Sequence, residues 1–264
     1  MSEHDPILEF RLTARYGAVK VLDDISGSLA RGEIAALAGL SGSGKSTLAL
    51  ALLRLLQYRG GEVSGSIRLG GQELMGLSGG EMRSIRGRQV GYVPQNPLAA
   101  LNGRLRVRTL LDETWRAHQP GRPTDAYLRE LLANVHLPLE SGFREKRAGE
   151  LSTGQGQRLL IALALMHKPA LVIADEPTSA LDVITQAAVL ALFAEINRKL
   201  GTAILFISHD LLSVASVAHR VDILHHGKIV ESGPPAEIFR APRHEFTRQL
   251  VAAMPQRPAV DGAA

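Results

Sequence analysis

The alternation of apolar and polar positions in the first part of the chain predicts β-strands. Short alternating stretches between residues 7 and 34 indicate antiparallel strands. We expect them to lie beside an apolar strand at residues 34–37. Residues 65–70 have the pattern of one more strand of this kind. The first 70 residues therefore predict a β-rich unit around one buried strand.

The rest of the chain alternates helices with buried strands. Helices are predicted at residues 48–56, 157–167 and 183–200, and apolar strands at residues 170–174 and 203–207. Residues 98–148 are more polar, and prolines at 120, 123 and 138 divide them into short helices. We expect an α/β fold with a mixed, mostly parallel sheet covered on both faces. One domain is predicted over residues 1–255, with a helical subdomain inserted at about 98–165 and a disordered tail at 256–264.

Residues 39–47 read Gly-Leu-Ser-Gly-Ser-Gly-Lys-Ser-Thr between a predicted strand and a predicted helix. This spacing is typical of a phosphate-binding loop, because its glycines let backbone N–H groups converge on a polyphosphate at a helix N-terminus. Lys45 would contact the terminal phosphates and Ser46 would bind Mg²⁺. The alternative is a chance Gly/Ser turn. The predicted nucleotide-binding residues are Gly39, Ser41, Gly42, Ser43, Gly44, Lys45, Ser46 and Thr47.

Two adjacent carboxylates follow the apolar strand at residues 170–174. Asp175 is the candidate partner of the metal, and Glu176 is the candidate general base that polarises the attacking water. The alternative is a pair of solvated acids at a strand end. Together with the phosphate loop, the pair indicates nucleotide binding and cleavage. Either motif alone would leave kinases, GTPases and helicases open.

The composition restricts which cellular compartment and which kinds of partner are expected. The 264 residues contain no cysteine, which excludes disulfides, thiolate metal sites and a cysteine nucleophile and fits a reducing compartment. No apolar run reaches the roughly 18 residues of a membrane span, and the polar, acidic start is unlike a signal peptide. We therefore expect an intracellular protein with at most a peripheral membrane role. Six arginines between residues 83 and 108 indicate a solvated face rather than a nucleic-acid site, because aromatic residues make up 4% of the chain.

Residues 151–158, Leu-Ser-Thr-Gly-Gln-Gly-Gln-Arg, resemble the signature of ATP-binding cassette (ABC) proteins. Seven motifs of that family occur here in the family's order. They are the aromatic Tyr16, the phosphate loop, Gln95, the signature, the acidic strand, the turn Ser179-Ala180-Leu181-Asp182 and the switch histidine His209. The resemblance covers about residues 7–255 and implies a P-loop NTPase of ABC type.

The resemblance implies that two cassettes share each ATP. In such proteins the signature of one subunit faces the γ-phosphate held by the other, so Ser152, Gly154 and Gln155 would act on a partner's ATP. Asp182 would belong to the family's D-loop. Tyr16 would stack on adenine, Gln95 would contact metal and water, and His209 would hold the γ-phosphate or the attacking water. A surface aromatic and a histidine at a strand end are the alternatives for Tyr16 and His209.

Two details bear on the signature. Residues 77–81, Leu-Ser-Gly-Gly-Glu, look more like the usual signature spelling, but they precede Gln95 and no Gln-Arg follows them. Thr153 stands where the family has a first glycine, and its Cβ occupies a position where little space is expected. We therefore expect slower hydrolysis of the partner's ATP.

Residues 242–255 resemble the C-terminal segment of peptide and nickel importer ATPases, although Glu245 and Phe246 depart from that pattern. Residues 182–186 and 82–87 also resemble the sequences of that subfamily. Longer peptide-importer members carry a cysteine-rich extension, so the chain looks closer to the short nickel or metallophore type. The implied cargo is a peptide, nickel or a metal–metallophore complex.

The resemblance implies a set of partners and a location. The expected partners are a second cassette, as a paralogue or a copy, integral permease subunits and, indirectly, an extracytoplasmic substrate-binding protein, with no nucleic acid. The expected location is peripheral, on the cytoplasmic face of the inner membrane. Two rivals from other classes are an accessory ATPase of a soluble enzyme complex, such as the carbon–phosphorus lyase machinery, and an ABC protein of translation or DNA repair. The remaining alternative is a regulatory nucleotide binder that does not hydrolyse, and Glu176 and His209 argue against it.

Overall fold

The structure is a computed structural model that describes residues 6–254. The predicted tail at 256–264 lies outside the described residues. The strands are β1 (Pro6–Tyr16), β2 (Val19–Ala30), β3 (Ile34–Ala38), β4 (Gly61–Leu69), β5 (Gln72–Glu73), β6 (Val90–Val93), β7 (Leu171–Asp175), β8 (Ala203–Ser208), β9 (Arg220–His225) and β10 (Lys228–Gly233). The helices are α1 (Lys45–Leu52), α2 (Gly79–Ile85), α3 (Pro97–Ala100), α4 (Val107–Arg116), α5 (Asp125–Asn134), α6 (Ser141–Glu145), α7 (Thr153–Leu165), α8 (Val183–Leu200), α9 (Leu211–Ala215), α10 (Pro235–Arg240) and α11 (Glu245–Ala252).

The strands form two sheets. The larger has the order β10-β9-β3-β8-β7-β6, in which all neighbours are parallel except β9 and β10. The smaller is antiparallel, with the order β2-β1-β4-β5. The expectation that the first strands lie beside the phosphate-loop strand is wrong, because β3 pairs with β8 and β9 instead. All five residues of β3 are buried, so both faces of this strand must be covered by other elements.

The two sheets share one hydrophobic core. Leu12 and Leu22 of the small sheet belong to the same buried cluster as Leu37 of β3, Leu48 of α1 and Ile207 of β8. Helix α1 is packed between the sheets, since it contacts β1 and β2 on one side and β7 and β8 on the other. The phosphate loop, which leads into α1, is thereby fixed by both sheets.

Helices α3 to α7 separate β6 from β7 in the chain, as the polar, proline-broken pattern predicted. They have a second buried cluster that includes Leu111, Leu132 and Leu159 and continues through Phe193 of α8. Helix α7 contacts α3, α4 and α5 and also β6 and α8, so it joins the helical region to the larger sheet. Among residues 6–254, no helix combines the length and the apolar character needed to cross a bilayer.

Candidate active site

The phosphate loop places a helix N-terminus at the end of a buried strand. Gly44 adopts φ 107°, in the left-handed region that favours glycine, and α1 begins at Lys45 rather than at the predicted residue 48. No side chain among the described residues caps the start of α1, and the first turn of α1 contains no acidic residue. The first N–H groups of the helix are therefore available to an anion, and the helix dipole favours one. This arrangement fits a nucleotide phosphate.

Gly44 also has to be small. A Cβ there would lie 2.8 Å from Leu22 Cδ2 and 3.3 Å from the Val21 carbonyl oxygen, so β2 lies directly against the loop. Gly39, at the other end of the loop, would bring a Cβ to 2.3 Å from the carbonyl oxygen of Leu224 in β9. Close backbone approach thus requires glycine at Gly39, and the left-handed φ together with the Leu22 contact favours it at Gly44.

The Lys45 side chain is folded into the loop. Its Nζ donates to the carbonyl oxygens of Gly39, at 2.8 Å, and Leu40, at 2.9 Å. Burial lowers the pKa of this amine, and the charges of Glu176 and Asp175 oppose that shift. The residue is 5% exposed, so the ammonium has little access to water. A bound phosphate would give it a charge-assisted hydrogen-bond partner.

Ser46 and Asp175 form the candidate metal site. The Ser46 hydroxyl donates to Asp175 Oδ1 at 3.1 Å, and the hydroxyl of Tyr92 in β6 donates to Oδ2 at 3.4 Å. Burial raises the pKa of Asp175, while the bond from Ser46 opposes the increase. Within the described residues, no cluster of three or more His, Cys, Asp or Glu side chains could hold a metal. Mg²⁺ bound to Ser46 and Asp175 would take further oxygen ligands from the nucleotide phosphates and from water.

Glu176 is held beside two polar partners. Its carboxylate Oε2 accepts from Gln95 Nε2 at 2.8 Å and lies 3.2 Å from His209 Nδ1. The backbone at Glu176 has φ 48°, an uncommon conformation for a residue with a Cβ, and its N–H donates to the Ile207 carbonyl of β8 at 2.8 Å. Three residues far apart in sequence thus converge at the carboxyl ends of parallel strands.

An open cavity of about 520 Å³ joins these groups. Its lining contains Val21, Ser41, Gly42, Gly44, Lys45, Ser46, Thr47, Gln95, Glu176, Ser179 and His209. Most of the predicted nucleotide-binding and catalytic residues therefore meet in one place. Gly39 and Ser43 lie behind the lining, and the structure gives the buried Ser43 hydroxyl no partner within residues 6–254.

The described cavity lining lacks the predicted residue Tyr16 and contains two residues that were not predicted. Tyr16, at the end of β1, is half-buried against the core shared by the sheets and is outside the described lining. Its stacking on adenine stays a prediction. Val21 and Ser179 line the cavity but were missed as site residues. Val21 carries no chemical signal in the sequence, whereas Ser179 could have been found from the turn that follows the carboxylates.

The signature residues lie outside the cavity lining, at the start of α7. Ser152 caps this helix: its hydroxyl accepts from the Gln155 N–H, and Gln155 Oε1 accepts from the Ser152 N–H, both at 3.2 Å. Asp182 caps α8 in a similar way and accepts from the Thr185 N–H at 3.0 Å. A Cβ on Gly154 would lie 2.9 Å from Thr185 Cγ2, so the starts of α7 and α8 are neighbours.

The signature look-alike at residues 77–81 has a structural explanation. Ser78 caps α2, and Ser78 and Glu81 exchange the same pair of hydrogen bonds as Ser152 and Gln155. A serine followed three residues later by Glu or Gln is the sequence of a capping box. The residue pattern alone therefore indicates a helix start. Only the position in the chain distinguishes the signature at residues 151–158 from the look-alike at residues 77–81.

The sequence profile of the ABC transporter family matches residues 22–179. The oligopeptide transport ATP-binding protein OppD of Lactococcus lactis subsp. cremoris (strain SK11) is 39% identical over 253 residues, which are 95% of this chain and 74% of that protein. The dipeptide transport ATP-binding protein DppD of Escherichia coli (strain K12) is 37% identical over 90% of this chain and 73% of that protein.

Among solved structures, cbiO1 from Clostridium perfringens, described as part of the ABC transporter complex cbiONQ, superposes with a TM-score of 0.77 and 27% identity. The match covers 90% of this chain and 92% of that one. The fold is therefore that of a P-loop NTPase of ABC type, as predicted. Together with the convergence of Lys45, Glu176 and His209 on one cavity, these matches show that the chain belongs to the family of ABC transporter ATP-binding subunits.

Proposed function

We propose that this chain binds and hydrolyses ATP to power an ABC importer, and that the imported cargo is a small peptide. The observation that most directly supports ATP hydrolysis is the contact of Glu176 with both Gln95 and His209 in the cavity next to the phosphate loop. The names of the relatives, oligopeptide and dipeptide transport ATP-binding proteins, support peptides as cargo. Nickel and metal–metallophore complexes are the alternative cargo.

Each group in the cavity has a role that follows from its position. The N–H groups at the start of α1 and the amine of Lys45 hold the β- and γ-phosphates of ATP. Ser46, Asp175 and Gln95 would hold Mg²⁺, and the ion would supply positive charge against the charge that develops on the phosphates. Glu176 orients the attacking water and accepts its proton, and His209 lies beside it at the γ-phosphate end.

We propose that hydrolysis requires a second cassette, because the signature lies outside the cavity of its own chain. Ser152, Gly154, Gln155 and Asp182 share one surface at the adjoining starts of α7 and α8. The apolar side chains of Val183 and Ile184, next to Asp182, are 82% and 84% exposed, as expected for residues that a partner covers. The partner is a paralogue or a second copy that sets its signature against this chain's ATP.

We further propose a permease subunit as the membrane partner, on the cytoplasmic face of the inner membrane. A largely apolar groove of about 250 Å³ is bounded by the end of α1, by β6 and by α7. It includes Leu55, Leu160 and Leu163, and also Tyr92, whose hydroxyl reaches Asp175. A helix of a permease seated there would lie one side chain away from the metal site. The extracytoplasmic substrate-binding protein contacts the permease and acts on this chain indirectly.

The test is purification of the tagged full chain from membranes, with identification of what accompanies it and measurement of Mg²⁺-dependent ATP hydrolysis. We expect integral permease subunits and a cassette in the preparation. Recovery with a soluble enzyme complex, with ribosomes or with DNA would support the rival functions instead. Uptake of labelled dipeptides and of nickel by cells that lack this chain then separates the two classes of cargo.

A further inference from the structure

A side-chain bridge connects the start of α8 to the loop that carries His209. Gln186 lies in the first turn of α8, one turn beyond the capping residue Asp182. Its Nε2 donates to Asp210 Oδ2 at 2.9 Å and to Ser213 Oγ at 2.8 Å. Both amide hydrogens of one glutamine are thus used by the segment that follows β8.

Asp210, the acceptor in this bridge, is fixed from several directions. Its carboxylate also accepts from the Ser213 hydroxyl and, at 3.2 Å, from the Ser213 N–H, so it caps the short helix α9. Its own N–H donates to Ser208 Oγ at 3.0 Å. Burial tends to raise the pKa of Asp210, but the hydrogen bonds from Ser213 and Gln186 outweigh burial and hold that pKa below its ordinary value. The carboxylate therefore stays charged and keeps its donors in place.

His209 lies between the two residues that this network fixes. Ser208 ends β8 and Asp210 precedes α9, so the backbone on either side of His209 is held. The His209 side chain is itself 55% exposed, and the packing around its ring is correspondingly sparse. Apart from its contact with Glu176 Oε2, the ring therefore depends on the held backbone on either side of it for its direction.

We propose that Gln186 is a positioning residue that ties the loop of His209 to the first turn of α8, so that the orientation of His209 toward Glu176 depends on where Asp182 is held. A second cassette that docks against Asp182 and the exposed start of α8 then adjusts a catalytic group in this chain's own cavity. This inference rests on the proposed function, because it requires that Asp182 meets a partner and that His209 acts in hydrolysis.

The test compares three variants in the full chain, in the assembly with which it purifies. Gln186→Leu removes both donated hydrogen bonds at similar size, Gln186→Glu places a second carboxylate beside Asp210, and Gln249→Leu on α11 is the control on another exposed helix. For Gln186→Leu we expect kcat to fall about tenfold or more with ATP affinity unchanged, since the lost bond lies outside the phosphate loop. The melting temperature should fall only by the few degrees that the loss of one hydrogen bond to a charged group causes. Gln249→Leu should match wild type.

The Gln186→Glu variant adds a readout that a general packing defect would not move. Two facing carboxylates disfavour double ionisation, so the introduced carboxylate and Asp210 titrate as a pair with one raised pKa, and a shared proton restores the bridge in acid. The ratio of Gln186→Glu activity to wild-type activity should therefore increase as the pH falls from 8 toward 6. If Gln186→Leu does not fold, this ratio decides the question.

The inference would be overturned by a kcat for Gln186→Leu close to that of wild type, or by a ratio for Gln186→Glu that does not vary with pH. A parallel loss of ATP affinity and thermal stability in Gln186→Leu would also overturn it, because Gln186 would then support the fold as a whole. Absence of ATP hydrolysis by the wild-type assembly would instead contradict the proposed function.

Discussion

Glu176→Gln tests the assignment of the general base with little disturbance of the structure. The glutamine has the same length and can still accept from Gln95 through its amide oxygen. The left-handed backbone at φ 48° and the bond from the Glu176 N–H to Ile207 involve main-chain atoms, so they are retained. The variant loses the basic oxygen and the negative charge that faces His209 at 3.2 Å.

The expected loss follows from the role of a general base. Positioned proton transfer contributes about 10²- to 10⁴-fold in rate, which corresponds to about 3–5 kcal/mol of activation free energy. ATP binding should be retained, because Lys45, Ser46 and the start of α1 are unchanged. The variant should therefore accumulate as an ATP-bound assembly of two cassettes, visible by size-exclusion chromatography with light scattering.

The assay is steady-state ATP hydrolysis at saturating Mg²⁺ and ATP, together with equilibrium ATP binding. Glu195→Gln is the matched control, because Glu195 lies on α8 outside the cavity lining, where it bonds Lys199 and faces His136. The control should keep its turnover. A kcat for Glu176→Gln within about threefold of wild type would refute the assignment of Glu176 as the base.

Three further predictions concern the phosphate loop and the metal site. Lys45→Ala should weaken ATP binding about 10- to 100-fold, as measured by titration calorimetry, since a charge-assisted contact is lost. Lys168 is exposed, and the control Lys168→Ala should bind ATP like wild type. Gly39→Ala should destabilise the fold by about 1–3 kcal/mol, because its Cβ would lie 2.3 Å from the Leu224 carbonyl oxygen. Gly76→Ala is the control, since a Cβ at Gly76 would meet nothing among the described residues within 4 Å beyond its chain neighbours. Equal melting temperatures for the two variants would contradict the packing argument. Asp175→Asn should abolish Mg²⁺-dependent hydrolysis while raising the nucleotide-free melting temperature at pH 7. The folded-state pKa of Asp175 is raised, so its contribution to stability is present below its ordinary value of 3.8 and is lost as pH rises through the folded-state pKa. The advantage of Asp175→Asn should therefore vanish in acid, and an advantage that does not vary with pH would argue against burial as the cause.

Elements with a strong local signal could be predicted from the sequence. Helix α8 begins at Val183 and ends at Leu200, as its pattern predicted, because Asp182 caps its start and Gly201 ends it in a left-handed conformation. The predicted helix at 48–56 was displaced, since α1 begins at Lys45 and ends at Leu52. Its start is set by the backbone of Gly44 rather than by apolar periodicity. Arg54, with φ 51°, interrupts the predicted second half.

Sheet membership could not be predicted from local pattern. Strands β1 and β2 alternate apolar and polar residues as expected for antiparallel pairs, but nothing in that alternation specifies which strand becomes the neighbour of β3. The pairing of β3 with β8 and β9 depends on contacts more than 150 residues apart. Strand β6 is short, with four residues, and was missed although it leads to Gln95.

The candidate site was largely predictable, because phosphate chemistry demands particular residue types at fixed spacing. Lys45, Ser46, Asp175, Glu176, Gln95 and His209 were all named from motifs, and the structure brings them together. Val21 was not predictable, since any apolar residue of β2 that faces the loop would serve. The roles of Tyr16 and Thr153 stay predictions, and Thr153 is a half-exposed residue of the first turn of α7.

The central claim is that one chain holds ATP and a second cassette completes the site. The most direct test measures ATP binding and ATP turnover per chain in fractions of defined mass, from strictly monomeric chain to the assembly with its second cassette. We predict that the monomer binds ATP with negligible turnover and that hydrolysis appears with the assembly. Full turnover by the isolated monomer, or failure of the monomer to bind ATP, would contradict the claim.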